Sequence, residues 1–190
     1  MIIIQKIFSY LLDIAQTIII AGVLFLITYI FFFRPYQVSG SSMHPTFVDK
    51  EYVLTSIISL RIEKIKRGDV IVFQAPNQEN EEFKKDYIKR IIGTAGDSIE
   101  IKDGNVYVNN QKLDESAYLS PEVKTYGGAF MKEGIPVTVS NNSYLVLGDN
   151  RPASSDSREW GFIKENEIIG KSVFVYLPVN QMRLVKNPFK

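Results

Sequence analysis

The sequence of 190 residues contains no cysteine and a single histidine, His44. Without cysteine the chain cannot form disulfides, thiolate zinc sites, iron–sulfur clusters or a thiol nucleophile. One imidazole is too few for a multi-histidine metal site, so we expect no metal and no other cofactor. Charge is nearly balanced, with 22 basic and 21 acidic residues and a net charge of +1. No overall field attracts nucleic acid, and we expect no nucleic-acid partner.

Charge is absent from one long segment near the amino terminus, residues 14–33. A helix of this length is about 30 Å long, which matches the hydrocarbon core of a bilayer. The apolar character extends back to residue 1 with Lys6 as an interruption, so the span could begin earlier. The alternatives are a buried soluble helix and a cleaved secretory signal, which would have a shorter apolar core followed by small residues. We interpret residues 1–34 as a membrane anchor whose orientation the flanking charges do not decide.

The remaining chain, residues 35–190, is rich in short β-branched and aromatic runs bounded by turn residues. Asp103-Gly104 and Asn109-Asn110 predict tight hairpin turns, because both pairs tolerate positive φ. The polar segment 74–85 is predicted to be a solvated connection. We expect an antiparallel β domain, barrel-like or sandwich, after the transmembrane helix. The predicted strands are 52–60, 69–74, 87–92, 98–102, 105–108, 136–139, 143–147 and 168–177.

Residues 39–46 (SGSSMHPT) form a small flexible turn that is closed by proline. Such a turn can expose a serine hydroxyl while neighbouring backbone N–H groups point at one spot, as acyl transfer requires for its oxyanion. On composition alone, however, a Ser/Gly linker that leaves the membrane is the favoured alternative. The chemistry of this turn therefore depends on whether the chain supplies a base.

Lys89 lies inside a β-branched run, and strand alternation places it on one face with Tyr87 and Ile91. If that face is covered, desolvation lowers the lysine pKa and yields a neutral amine that can act as a general base. The alternative is a surface lysine on an edge strand. His44 is too close to Ser42 in the sequence to approach its hydroxyl in the usual cross-chain way. A carboxylate in a site without water could also act as the base. Because the other candidates fit less well, a serine–lysine pair is the favoured arrangement.

The segment 147–162 concentrates acids, arginines, serines and the sole tryptophan. It could supply partners that orient the amine, or it could be a well-bonded surface loop with Asx-turns. With this segment, four motifs in order after a membrane span resemble the sequence boxes of bacterial type I signal peptidases, up to residue 163. The matching boxes are G-x-SM-x-PT at 40–46, GDVI at 68–71, YIKR-x-IG-x-x-GD at 87–97 and GDNR-x-x-S-x-DSR-x-WG at 148–161.

The resemblance implies a membrane-anchored Ser-Lys endopeptidase that removes signal peptides from exported preproteins, cutting after small residues of the Ala-x-Ala type. Its partners would be those signal peptides and the lipid bilayer. Its catalytic domain would lie on the extracytoplasmic side of the cytoplasmic membrane. The implied fold is mainly β, a twisted antiparallel domain of the kind shared with LexA-type repressors, with a small β insertion at about 98–146.

By resemblance, Ser42 is the nucleophile and Lys89 the general base, and the Ser42 N–H contributes to the oxyanion hole. Some members carry a serine where this chain has Gly40, so Ser41 or backbone amides would substitute for that donor. The residues that would orient the lysine or hold the site together are Ser154, Asp156, Arg158, Arg90 and Asp149. The residues that would line the substrate pockets are Met43, Phe47, Tyr87 and Ile88, with core packing as the alternative for Phe47 and Tyr87.

Two other classes of protein are alternatives to this interpretation. Self-cleaving repressors of the LexA type carry a DNA-binding domain, whereas residues 1–33 offer neither a helix-turn-helix nor a basic surface. Non-catalytic signal-peptidase-like proteins that assist the assembly of surface fibres would be expected to lack the serine or the lysine. The sequence keeps both residues.

Overall fold

In the computed structural model, which describes residues 2–76 and 85–189, a long helix leads into antiparallel β-sheets. This arrangement confirms the mainly β prediction with one N-terminal apolar helix. The helices are α1 (Ile2–Phe32), α2 (Ser59–Ile62) and α3 (Ser157–Trp160). The strands are β1 (Phe33–Gln37), β2 (Tyr52–Ser56), β3 (Val70–Gln74), β4 (Asp86–Gly93), β5 (Ser98–Lys102), β6 (Asn105–Val108), β7 (Gln111–Lys112), β8 (Val137–Thr138), β9 (Ser143–Leu147), β10 (Ile163–Lys164), β11 (Ile168–Leu177) and β12 (Arg183–Leu184).

Helix α1 is long and apolar enough to cross a bilayer over the 23 residues Gln5–Ile27, none of which is buried inside the protein. The helix ends one residue before the end of the uncharged segment, because Phe33 lies in β1. There the chain turns directly into a strand whose partner is β2, with Phe33 opposite Ser56. The Ile57 N–H also donates to the carbonyl of Phe32 at 3.0 Å, so the last turn of the helix is bonded to the sheet.

The large sheet has the order β1-β2-β11-β3-β4-β9-β10, with β12 paired to β11, and its pairs are antiparallel. Strand β4 pairs with β3 along its length, so that Lys89 lies opposite Ile71. On its other side β4 pairs with β9 only from Arg90 onward. The edge of β4 from Asp86 to Lys89 is therefore left without a β-strand partner among the described residues.

A second sheet, in the order β7-β6-β5-β8, is inserted between β4 and β9. The two hairpin turns predicted from sequence are confirmed, since Asp103 and Asn109 adopt φ values of 52° and 51° at the tips of the β5–β6 and β6–β7 hairpins. Both sheets share one hydrophobic cluster. The fully buried members that join them are Ile92, Ile99, Ile101, Met131 and Leu145. Through this shared core the small sheet supports the end of β4 just beyond Lys89.

The predicted strand 52–60 was wrong after Ser56, where a short helical turn replaces it. The Ser59 hydroxyl donates to the Ser56 carbonyl at 2.9 Å, and such local side-chain bonds compete with a strand ladder. Of the predicted polar connection 74–85, residues 77–84 lie outside the described part of the chain. The remaining predicted strands match observed strands to within one residue at each end.

Candidate active site

The loop that carries Ser42 leaves β1 and is fixed at both of its ends. The Val38 N–H donates to the Glu51 carbonyl and the Lys50 N–H to the Val38 carbonyl, each at 2.8 Å. Within the loop, Gly40 has a φ of +89°, a region that glycine adopts without strain, and its N–H donates to Asp49 at 2.7 Å. Ser42 is thereby presented, partly buried, in a loop that is held in place.

Lys89 is brought to this serine by β4. Its Nζ lies 2.7 Å from Ser42 Oγ and 3.0 Å from the carbonyl of Ile88. As alternation predicts, Tyr87 and Ile91 pack in one hydrophobic cluster, whereas Ile88 packs against another. Only 4% of Lys89 is exposed. The structure thus joins the two residues that the sequence selected for nucleophile and base.

Burial is the main influence on the amine of Lys89. Desolvation lowers the pKa of Lys89 from 10.5 to about 8, although the carboxylates of Asp156 and Asp149 act in the opposite direction. A substantial fraction of the lysine is therefore neutral near pH 8. The neutral amine can accept the proton of the Ser42 hydroxyl at the observed separation of 2.7 Å.

The segment 148–150 crosses the serine loop and holds its main chain. The Asn150 N–H donates to the Ser42 carbonyl at 3.0 Å, and the Asn150 side-chain amide donates to the Ser41 carbonyl at 3.1 Å. Gly148 lies so close beneath that a Cβ on it would be 2.5 Å from the Ser42 carbonyl oxygen. Only glycine permits this approach of the two backbones.

Two buried ion pairs surround the Ser42–Lys89 pair. Arg90 and Asp149 form a two-pronged pair, with Nε–Oδ1 and Nη2–Oδ2 distances of 2.9 and 2.7 Å. Arg158 and Asp156 form a similar pair at 2.8 and 2.9 Å. Asp156 also accepts from the Gly148 N–H at 3.0 Å, which ties this pair to the segment beneath Ser42. Parallel bonds of this kind fix side-chain geometry better than single contacts do.

Ser154 lies beside Gly148, and its hydroxyl is buried without a hydrogen-bond partner among the described residues. The hydrogen bonds of Lys89 Nζ go to Ser42 and Ile88. The expected bond between Ser154 and Lys89 is therefore not present in this structure. A buried hydroxyl without a hydrogen bond costs free energy, so a small rotation that lets Ser154 bond a neighbouring group would be favourable.

A cleft of about 250 Å³ opens beside Ser42 and Lys89. Tyr87 and Ile88 line it, as the resemblance implies. Met43 and Phe47 do not line it in this structure: both are fully buried and pack with Val53 and Val70. Their assignment to the substrate pockets stays a prediction. The lining residues that sequence reasoning missed are Tyr36, Gln37, Val38, Ser39, Val53, Val72, Asp86 and Ser155.

Metal ligation finds no support in the part of the chain that the structure describes. No group of three or more His, Asp or Glu side chains there is arranged to hold an ion. The residues around Ser42 and Lys89 are instead acid–arginine pairs, whose carboxylates are already occupied by guanidinium groups.

Comparison with known proteins gives concordant results. The family model described as signal peptidase, peptidase S26, matches residues 11–177. The chain is 38% identical over 179 residues to signal peptidase I T of Bacillus subtilis strain 168, covering 92% of this chain and 90% of that protein. It is 36% identical over 190 residues to signal peptidase IB of Staphylococcus aureus strain MRSA252, covering 93% and 96%. A crystal structure of a signal peptidase I from Enterococcus faecalis V583 is 30% identical, with a TM-score of 0.46 over 57% of this chain and 97% of that chain. The family model and the two curated relatives show that the chain belongs to the signal peptidase family, peptidase S26, and is a serine peptidase.

Proposed function

We propose that this chain removes N-terminal signal peptides from exported preproteins, with Ser42 as nucleophile and Lys89 as general base. The observation that carries the proposal is the 2.7 Å separation of Lys89 Nζ and Ser42 Oγ, with the lysine 96% removed from solvent by the fold. The direct test is to incubate the detergent-solubilised chain with a preprotein whose signal peptide ends in Ala-x-Ala. Release of the mature protein is the expected result.

The reaction follows from the geometry in two halves. The Lys89 amine takes the proton of the Ser42 hydroxyl as Oγ attacks the scissile carbonyl, and the resulting ammonium returns that proton to the leaving amine. A water molecule then attacks the acyl-enzyme and gives a proton to Lys89. The ester bond to Ser42 Oγ breaks, Oγ takes that proton back, and the signal peptide leaves with a new carboxyl terminus. Asp149 and Asp156 stabilise the transient ammonium, since both carboxylates raise the pKa of Lys89.

The developing oxyanion needs donors, and the serine loop supplies one. The Ser42 N–H donates no hydrogen bond to any described residue, which leaves it free for this role. Because Gly40 has no hydroxyl, a second donor must come from a neighbouring backbone amide or from the exposed Ser41.

The substrate backbone can be held by the free edge of β4. The Ile91 N–H bonds toward β3, at the Asp69 carbonyl, so alternation turns the peptide groups of Ile88 and Asp86 toward the unpaired edge. An extended peptide that lies between this edge and residues 36–39 would place its scissile bond at Ser42. The cleft has a volume of only about 250 Å³, and this favours small side chains before the cut.

We further assign residues 1–34 to a membrane anchor, residues 35–190 to the peptidase domain and about 98–146 to an insertion within it. Among the residues that the structure describes, one helix is long and apolar enough to span a bilayer, which supports a single-pass protein. Since preprotein cleavage follows export, the catalytic domain belongs on the extracytoplasmic side of the cytoplasmic membrane. The alternative role of a non-catalytic assembly partner is disfavoured, because Ser42 and Lys89 are both present and in contact.

The pH dependence of cleavage is expected to follow Lys89. With a pKa of about 8 for the free enzyme, kcat/KM should rise about tenfold per pH unit below that value and level off above it. A soluble peptide substrate without titratable side chains would isolate the enzyme's own ionisation. A profile that is flat between about pH 6 and 9, or that falls with rising pH, would contradict a lysine base.

Deletion of residues 1–33 should weaken cleavage of membrane-inserted preproteins more than cleavage of soluble peptides. Ser42 follows Arg34 by eight residues, so it lies within about 29 Å of the end of the anchor, close to the membrane surface. The measurement compares kcat/KM for the two substrate classes with the full chain and with the truncated chain. An equal loss for both classes would argue against this placement of the site.

A further inference from the structure

The segment 115–125 lies between β7 and β8 and forms neither a strand nor a helix. Its sequence gave no indication of a role. In the structure, however, it contacts two arginine side chains, Arg151 and Arg90, that are almost completely buried. Each arginine connects this segment, through hydrogen bonds, to the loop that carries Ser42.

The first connection runs through Arg151, whose side chain is fully buried. The carboxylate of Glu115 accepts from both terminal nitrogens of this guanidinium, one at 3.1 Å and the other in the ion pair with Nη2. The third nitrogen of Arg151, Nε, donates to the Gly148 carbonyl at 3.1 Å. Arg151 therefore links Glu115 to the segment 148–150, which in turn bonds the main chain of Ser42.

The second connection runs through Arg90. The ring of Tyr118 stacks against its guanidinium, with 4.2 Å between Cζ and the ring centroid. Arg90 in turn holds Asp149 and donates to the hydroxyl of Thr46 at 3.1 Å, at the far end of the serine loop. Tyr118 also donates its hydroxyl to Glu115 at 2.6 Å, so the two connections start from one bonded pair.

We propose that Glu115 and Tyr118 are positioning residues, which fix Ser42 against Lys89 by holding the side chains of Arg151 and Arg90. The inference rests on the proposed function, because it assigns these residues to the Ser42–Lys89 reaction. Neither residue lines the substrate cleft. Their loss should therefore impair kcat and leave KM unchanged, since a displacement of about 1 Å at reacting atoms costs as much as 10²-fold in rate.

The absence of cysteine from the chain provides a direct measurement of this positioning. In a Ser42→Cys variant the single thiol lies against the Lys89 amine, and a neighbouring ammonium lowers a thiol pKa below its usual value of about 8.5. The thiol is titrated by its rate of alkylation with iodoacetamide across pH. In this background, Glu115→Gln and Tyr118→Leu are each expected to return the thiol pKa toward about 8.5.

In the wild-type background, which keeps Ser42, Glu115→Gln and Tyr118→Leu are each expected to lower kcat about tenfold with KM unchanged. Matched controls are Glu122→Gln and Tyr126→Leu, which alter exposed side chains of the same stretch and should change neither quantity. If Glu115→Gln or Tyr118→Leu does not fold, Tyr118→Phe keeps the ring under Arg90 and removes only its bond to Glu115, and a smaller shift in the same direction is expected.

An unchanged thiol pKa and an unchanged kcat in folded variants would overturn the inference, as would a rise in KM alone. The thiol titration does not depend on substrate cleavage. Failure of the wild-type chain to cut a preprotein would therefore count against the proposed function, while the titration would still decide whether Glu115 and Tyr118 position residue 42.

Discussion

Replacement of Ser42 by alanine is expected to lower kcat for preprotein cleavage by about 10⁴-fold or more, since the acyl-enzyme can no longer form. Stability should change little, because the hydroxyl is partly exposed and its bond is to a lysine that the fold buries at a cost. The measurement is single-turnover cleavage, alongside thermal unfolding. Ser41→Ala is the comparison variant, since Ser41 precedes Ser42 in the same loop with an exposed side chain. Its loss can remove at most one oxyanion donor, which costs no more than about 10²–10³-fold in kcat.

Residual activity near the wild-type level in Ser42→Ala would refute the assignment of the nucleophile. A comparable loss in Ser41→Ala, with Ser42→Ala active, would move the nucleophile by one residue. The 2.7 Å contact belongs to Ser42 Oγ, so neither result is expected.

Replacement of Lys89 by methionine is expected to abolish turnover as completely as Ser42→Ala, because Met keeps the stem of the side chain and removes the base. It should also leave the protein as stable at pH 7 as the wild type, or more stable. The folded-state pKa of Lys89, about 8, is below its ordinary value of 10.5, so the unfolded chain binds more protons between these two values. The lysine therefore destabilises the fold by up to about 3 kcal/mol at and below pH 7, and this penalty fades as pH rises from about 8 to 10.

Chemical denaturation of both proteins at several pH values measures that difference. The free energy of unfolding of the wild type should approach that of Lys89→Met as pH rises, whereas the control Lys102→Met, at an exposed position on β5, should run parallel to the wild type. A turnover-competent Lys89→Met enzyme would exclude lysine as the base. An inactive variant that is strongly destabilised at pH 7 would indicate a charged, structural lysine.

Most strands could be predicted because their signals are local. The β5–β6 hairpin, for example, is specified by alternating apolar residues and by Asp103-Gly104 at its tip. Strand β1 was missed because it continues the apolar run of α1 and contains Pro35, and its partner β2 lies well downstream in the chain. Pairing over that distance satisfies the backbone of Phe33 in a way that no local pattern reveals. The resemblance to signal peptidases, read from four motifs, is confirmed at the level of the family.

The residues of the candidate site also differ in whether local sequence patterns indicate them. Lys89 could be selected because a lysine inside an apolar strand is a distinctive local setting. Ser42 was singled out from the other serines of its turn by the resemblance to signal peptidases. Met43 and Phe47 are buried rather than exposed in the cleft, and proximity to Ser42 in sequence does not distinguish a pocket wall from the core below it. Glu115 was missed because its significance depends on Arg151, which reaches it across the fold.

The junction between α1 and the sheet has one further consequence. Helix α1 ends at Phe32 and β1 begins at Phe33, and the Ile57 N–H bonds the carbonyl of Phe32. If α1 spans the membrane as we propose, this rigid junction would hold Ser42 at a fixed height above the bilayer. Such an enzyme would select substrates by the distance between the apolar stretch and the scissile bond, as well as by the side chains that enter the cleft. A signal whose apolar stretch ends too near the cut, or too far from it, would present its scissile bond at the wrong level. Substrate choice would then depend on a spacing that no residue in the cleft encodes.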